Sequence, residues 1–282
     1  MMAGTAADVL NKRDTPLVPV EPRRGTVVFP QEGSTFRSIR AYAPRDELAA
    51  SIEYFWIVRW DLGEPWVSTT IPQPRIHLTI EGDRVLVYGI DRRQFRREID
   101  GIGVVLGVAF RPAMFRSFTD RSLKAMQDRV EPASAFFRNP FPAPTLVDPS
   151  DDDLVAYVDG ILCAQQPVVD PVAVWCHNLV ERIETDAEVT QVHQLAGIAG
   201  CGERSLQRRF TDYVGATPKW VIQRSRIMSL VAACNEGQAI EWAAMAHALG
   251  FADQAHLIRA FRGIVGVTPD RYLRRVQERM DG

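Results

Sequence analysis

Apolar positions between residues 36 and 110 alternate or run in short blocks, whereas from residue 154 onward they recur three and four apart. That change of period predicts a β-rich front half and a helical back half. Residues 36–42 alternate, residues 52–60 form a long aromatic run, and residues 76–80, 84–90 and 104–110 follow with Gly or Pro between them. About seven strands at such spacing predict a sandwich or small barrel. Residues 112–118 read as a short helix opening on Pro112. After a Pro-rich run at 139–144, Asp151, Asp152 and Asp153 favour a helix start. Leu154, Tyr157, Val158, Ile161 and Leu162 then make one apolar stripe that Pro167 ends. A second amphipathic segment carries Val172, Trp175, Leu179 and Ile183.

The last third contains one pattern written twice. Leu206, Phe210, Gly215, Thr217 and Pro218 recur as Leu257, Phe261, Gly266, Thr268 and Pro269, each 51 positions later. Two copies are too few for a solenoid that buries its own core, so a duplicated helical module is expected. Each copy has a short apolar-periodic segment (Val192, Leu195, Ala196, Ala199; then Trp242, Met245, Ala246, Leu249). A turn containing Gly200 and Gly202, or Gly250, separates it from a second segment at 203–214 or 254–265. Such a unit is a helix-turn-helix. Each ends with Gly at the stop, Thr as N-cap and Pro at the first position of the next helix. The helix opened by Pro218 runs to about Asn235 and joins the copies.

With Leu206 and Phe210 inward, helical geometry turns Arg204, Arg208 and Thr211 outward, flanked by Ser205 and Gln207. In the second copy the outward set is Ala255, Arg259 and Arg262, flanked by His256 and Ile258, with Gln254 at the helix start. Arg binds the guanine edge bidentately, Gln reads adenine, and an apolar side chain meets the thymine methyl. These residue types suit a major groove, although surface Arg is often only a solvated face.

At these residues the chain resembles the AraC/XylS family of transcription regulators. The second copy carries the most specific run: Ala246-His247-Ala248-Leu249-Gly250-Phe251-Ala252-Asp253-Gln254, then Arg259-Ala260-Phe261 and Gly266-Val267-Thr268-Pro269-Asp270-Arg271-Tyr272. Gly202, Trp242, Ala255 and Leu257 depart from the residues usual in that family. The resemblance implies a DNA-binding domain of two helix-turn-helix motifs joined by a long helix. It also implies that Arg204, Gln207, Arg208, Gln254, His256 and Arg259 face DNA. More weakly, Tyr54-Phe55-Trp56-Ile57-Val58-Arg59-Trp60 and Gly107-Val108-Ala109-Phe110-Arg111-Pro112 are similar to an uncharacterised β-rich domain found ahead of such DNA-binding domains.

Composition refines this picture. A chain of 282 residues is long enough for two domains. Of 18 Pro, all but Pro218 and Pro269 lie at or before Pro171. Net charge is −2, and from Asp186 onward 12 Lys and Arg face 10 Asp and Glu, a net of +2. Local placement of Arg, rather than a basic surface, must therefore carry any DNA affinity. Cys163, Cys176, Cys201 and Cys234 lack CxxC spacing and read as buried free thiols of a reducing cytoplasm. No apolar run is long enough for a membrane span, and the first 25 residues lack the apolar core of a signal peptide. A soluble, cytoplasmic protein is the expectation.

The front half holds a single His, His77, too few for a metal-binding barrel, and no phosphate loop, nucleophile elbow or paired-acid motif appears. Neither a metal, a cofactor nor an enzymatic activity is expected. Trp56, Trp60 and Trp66 either build core or line an effector pocket anchored by Arg75, His77 or Arg111. The expected organisation is α+β in two domains: an arm at 1–30, a β-rich sensory or dimerisation domain at 31–145, a helical linker at 150–185 and an all-α DNA-binding domain at 186–282. The linker helices either pack on the β domain or form a homodimer. The expected partners are double-stranded DNA, a small-molecule effector and, for an activator, RNA polymerase. The competing reading is an enzyme or ligand-binding β domain with a helical tail that does not select DNA.

Overall fold

The computed structural model describes residues 17–20, 37–144, 148–237 and 240–280. The α+β, two-domain class holds. Six strands, β1 (Arg37–Tyr42), β2 (Ile52–Thr70), β3 (His77–Glu81), β4 (Arg84–Tyr88), β5 (Phe95–Phe110) and β6 (Val130–Pro132), form one antiparallel sheet in the order β1-β2-β5-β3-β4-β6. Among the described residues the front half is thus a single sheet with fewer strands than the sequence pattern counted. Two of them are long: β2 and β5 pair from Ile52↔Phe110 to Thr70↔Phe95, with a register shift between Leu62 and Trp66. Their distal halves, around Asp61–Glu64 and Arg96–Glu98, are too polar to announce themselves as strands.

Most of the expected N-terminal arm lies outside the described residues, but residues 17–20 run along the free edge of β1. The Val20 amide donates to the Ala41 carbonyl and the Ala43 amide to the Val18 carbonyl, both at 2.9 Å. One local expectation is corrected, and one short element was not expected. Residues 112–118 contain a 3₁₀ turn at Met114–Ser117, not a helix from Pro112, because Ala113 ahead of it has φ 65°. A short helix α1 (Asp46–Ala49) also follows β1, with only Leu48 buried to mark it.

Strand alternation divides the sheet. Phe55, Ile57, Leu78, Ile80, Val87, Leu106, Val108 and Phe110 face the main core; Tyr54, Trp56, Val58, Trp60, His77 and Thr79 face a cavity on the other side. Two helices, α2 (Asp151–Ala164) and α3 (Pro171–Thr185), cover the core face. Ser150, rather than one of the three Asp, caps α2 in a capping box with Asp153. The α2 stripe is buried inside the chain together with Val155, Ala156 and Asp159, so packing on the β domain accounts for it.

The remaining helices are α4 (Val192–Ile198), α5 (Glu203–Arg209, continued by a π-turn at Phe210–Val214), α6 (Pro218–Asn235), α7 (Trp242–Ala248), α8 (Gln254–Val265) and α9 (Pro269–Met280). The main core extends from the sheet through Leu195, Leu206, Phe210, Val214 and Val221 of the first motif. The second motif has its own core, Ile227, Leu230, Val231, Leu257, Phe261, Ile264 and Tyr272 among others, joined by Ile71 from the β2–β3 connection. Helix α6 belongs to both. All four cysteines are free; burial pushes the Cys176 thiol up to about 12 and the Cys234 thiol to about 11. Among the described residues no helix is long and apolar enough to cross a membrane.

One polar contact ties α2 to the sheet, and another ties α6 to the end of α3. Asp151, at the start of α2, accepts from the Tyr42 hydroxyl at 2.6 Å and from Arg59 at 2.9 Å. Burial pushes this carboxyl up, but the Tyr42 hydroxyl and the Arg59 and Arg40 guanidinium groups outweigh it and hold it below its ordinary value of 3.8. A depressed carboxylate adds stability that is present above the unfolded-state value and lost as pH falls through the folded one. Asp151→Asn should therefore lower the urea midpoint at pH 7, and the difference should shrink as pH falls through the folded-state value of the carboxyl, where the parent side chain also becomes neutral. In mid-α6, Arg226 is 4% exposed and donates to the carbonyls of Asp186 (3.1 Å) and Val189. Arg226→Ala should cost about 3 kcal/mol in equilibrium unfolding, because it strands buried carbonyls.

Candidate functional site

Each motif is assembled by the same means. Leu206, Phe210, Leu257 and Phe261 are completely buried, which fixes how α5 and α8 roll on their partner helices. Gly215 (φ 87°) and Gly266 (φ 86°) end the two helices in the left-handed region. The Thr217 hydroxyl then caps α6 by accepting from the Trp220 amide at 3.2 Å, with Pro218 at its first turn. Asp253 caps α8 through the His256 amide at 2.6 Å, whereas Gly202 at the same place in α5 supplies no side-chain cap. The copies differ at their ends. The Gly215 amide reaches five residues back to the Phe210 carbonyl (3.1 Å), making a π-turn; the Gly266 amide reaches four back to Arg262 (3.0 Å).

Rolled in this way, α5 exposes Arg204, Gln207 and Arg208 and leaves Ser205 half-buried; α8 exposes Gln254, Ala255, Arg259 and Arg262 and leaves His256 half-buried. Among the described residues the side chains of these four arginines have no ion-pair or hydrogen-bond partner. Arg209, one position on from Arg208, instead turns inward over the Trp175 ring at 5.0 Å. Thr211 is half-buried, and its hydroxyl lies 2.9 Å from the carbonyls of both Gln207 and Arg208, so it donates into its own helix. The His256 ring stands edge-on to Phe251 at 5.2 Å.

Between the motifs lies a groove of about 670 Å³ whose lining includes His193, Lys219, Gln223, His247 and His256. Gln191 at the start of α4 donates to the Gly250 carbonyl of the second turn at 3.3 Å, so the motifs touch directly. Lys219 and His193 are not marked by the repeat because neither recurs in register: Lys219 aligns with Asp270 and His193 with Ala244.

The sheet cavity, about 210 Å³, brings together four of the six residues proposed for an effector pocket: Trp56, Trp60, Arg75 and His77. Trp66 packs beside Trp60 and Ile99 without lining it. Arg111 is also outside, because its guanidinium donates to the Ala49 carbonyl at 2.8 Å and clamps α1. Arg75 is fully buried and paired with Glu53. Burial and the neighbouring Arg75 push His77 down to about 3, so its imidazole is neutral. Trp56 lies across Gly107 and Trp60 across Gly103 on the paired strand; a Cβ at either glycine would fall 1.9 or 2.2 Å from the indole above it. Tyr88, Asp91 and Phe95 are also in the lining and were missed, since pairing of β4 with β3 and the turn after β4 bring them there. Among the described residues no group of three or more His, Cys, Asp or Glu is placed to hold a metal ion.

Comparison with known families matches residues 195–275 to a model described as a helix-turn-helix domain, and residues 40–132 to one described as a domain of unknown function (DUF6597). No curated protein sequence matches. Among solved structures, an apo ToxT variant from Vibrio cholerae is 12% identical, covering 78% of this chain and 96% of that one, with a TM-score of 0.40. The DNA-binding domain of AdpA, described as a global transcriptional factor in complex with a target DNA, is 24% identical over 39% of this chain and 96% of that one, with a TM-score of 0.32. A transcriptional regulator with an AraC-type DNA-binding domain from Chromobacterium violaceum is 20% identical over 35% and 88%, with a TM-score of 0.31.

The glycine seats beneath the indoles give a test of the cavity wall. Gly107→Ala should destabilise the protein by about 1–3 kcal/mol through overpacking and shift the tryptophan emission as Trp56 is lifted; an unchanged spectrum and midpoint would mean the ring does not lie there.

Proposed function

We propose that this chain, which carries an AraC-type helix-turn-helix domain at residues 195–275, is a DNA-binding transcription regulator that sets α5 and α8 into two successive major grooves on one face of the duplex. The observation that carries this reading is the matched exposure of unpaired Arg204, Gln207 and Arg208 on one helix and Gln254, Ala255, Arg259 and Arg262 on the other. Guanidinium and amide groups held free at a helix surface are what base edges require. The 18 residues of α6 rise about 27 Å, and heads projecting beyond both ends of that rod suit grooves about 34 Å apart. Lys219, His193 and His247 in the intervening groove are placed for the phosphates between the two contacts.

In this reading the sheet cavity admits a small-molecule effector, and the protein acts as a homodimer that contacts RNA polymerase where it activates. Occupancy of the cavity stabilises the fold by mass action, so a metabolite panel in a thermal-shift assay finds the ligand.

Selection of bound sites from random DNA by the full-length protein should return a bipartite sequence with centres about 10 base pairs apart; recovery of no sequence would end the regulator reading. Arg208→Ala and Arg259→Ala should each cost about 1–3 kcal/mol of operator affinity and relax preference at one base pair, in different halves of the site.

A further inference from the structure

The cavity on the sheet is walled by aromatic side chains and lined by four charged or titratable groups of unequal standing. Tyr54, Trp56, Trp60, Tyr88 and Phe95 supply the rings. Arg75 and Arg97 line it as well, but each is neutralised at contact, by Glu53 and Glu81 respectively. His77 is neutral. Asp91 is the exception: its half-buried carboxylate has no ion-pair or hydrogen-bond partner among the described residues. Burial, and then the nearby Asp128, raise it to about 6 from 3.8. A charge held in so poor a setting is relieved by an opposite charge beside it.

We propose that this cavity binds an organic ammonium cation with a small aromatic body, its charge against Asp91 and its body among the tryptophan and tyrosine rings, and that the Asp91 loop reports its presence to both helix-turn-helix motifs. An indole face attracts an ammonium group through the ring quadrupole, most strongly where water is excluded. The size fits one ring with a short charged arm, since a cavity of about 150 Å³ holds benzene and this one is about 210 Å³. An organic carboxylate is disfavoured: it would have to displace Glu53 or Glu81 from its arginine and then lie beside Asp91.

The reporting half of the proposal rests on the regulator reading; the binding half does not. The loop joining β4 to β5 has Asp91 in the cavity and its neighbours on the DNA-binding helices. The Arg92 carbonyl accepts from the Trp220 indole in the first turn of α6 at 3.4 Å. The Gln94 side chain donates to the Val265 carbonyl at the end of α8 at 2.9 Å and fills the space above Gly266. Ile90 abuts Gly215 at the end of α5. One loop thus touches the cavity, the stop of each reading helix and the start of the rod between them. Arg92 and Asp128 staple it from below, through the Arg92 amide at 2.8 Å and its guanidinium at 2.7 Å.

The test uses the full-length protein and three matched probes: 3-phenylpropyltrimethylammonium, its uncharged tert-butyl analogue, and 4-phenylbutyrate. The cation should quench tryptophan fluorescence saturably and raise the melting temperature, with affinity at least about tenfold above either other probe, a difference of about 1.4 kcal/mol. Asp91→Asn should erase that preference while leaving binding of the uncharged analogue unchanged, and the variant should melt no lower than the parent because it removes a repulsion with Asp128. Gln94→Ala should still bind the cation but lose any effect of the cation on DNA affinity. Stronger binding of phenylbutyrate, an undiminished preference in Asp91→Asn, or no saturable binding of the cation would each overturn the proposal. Cation binding in a protein that selects no DNA would instead remove the regulator reading and keep the site.

Discussion

Three consecutive buried polar residues in the middle of α6, Arg224, Ser225 and Arg226, join the last turn of α3 to the helix that carries both motifs. The Ser225 hydroxyl donates to the Ile183 carbonyl at 3.1 Å, Arg226 to the carbonyls of Asp186 and Val189, and Arg224 to Glu184 at 3.2 Å and the Pro72 carbonyl at 2.7 Å. Buried cations are costly unless fully hydrogen-bonded, and the last carbonyls of a helix lack partners within it. Here the carbonyls at and after the end of α3 take up these donors, although the buried Arg226 Nε has no hydrogen-bond partner among the described residues, and the negative end of the α3 dipole adds to the match. Because these bonds are directional, they fix α6 in both translation and roll. Apolar packing on either side of them, Val221 and Ile222 towards the sheet and Ile227 and Leu230 towards the second motif, would not.

The two motifs are nearly equal in sequence yet unequally embedded. The first shares its core with the sheet and with α2 and α3, so it moves only with the front half. The second has a separate core and meets the rest through α6, Ile71, the Gln191–Gly250 bond and the Gln94–Val265 bond. A change in the front half therefore reaches the second motif through a few polar contacts, each of which can break without opening a core. The π-turn after α5 belongs to the same asymmetry, since Tyr213, which it presents, bonds to Asp170 at 2.9 Å and lies under Arg116 at 4.7 Å.

The helical half was legible because its signals are local. Gly215, Thr217, Pro218 and their counterparts act through backbone conformation within one turn, and the Leu and Phe pairs fix a face that geometry then extends to Arg208 and Arg259. The front half was legible where a strand alternates cleanly, as β1 does, or is largely apolar, as in the inner halves of β2 and β5. The outer halves of β2 and β5 alternate polar residues with single apolar ones and depend on pairing with each other, which is a long-range fact. For the same reason Trp56 and Trp60 were recognised by type, but their seats on Gly107 and Gly103 depend on register. Arg111 misled because a basic residue next to an aromatic strand looks like a ligand anchor, whereas its partner is a backbone carbonyl in α1. Asp91 was invisible because its setting comes from the turn between β4 and β5, which brings it to the cavity.

Charge placement explains why a rigid rod matters to such a molecule. A region with a net charge of only +2 from Asp186 onward gains little from a general attraction to the phosphate backbone. Of its exposed arginines, Arg204, Arg208, Arg259 and Arg262 lie on the two faces set by Leu206 and Leu257 and Arg271 and Arg274 lie on α9, while Arg209, Arg224 and Arg226 serve the fold. Affinity must then come from directional contacts, and one short helix makes too few of them. Two helices on a stiff connection make the second engagement intramolecular, with a high effective concentration when the spacing fits and none when it does not. In the proposed reading the fit of both helices to their grooves sets the strength of binding, and a loop seated on the ends of both helices is positioned to change that fit.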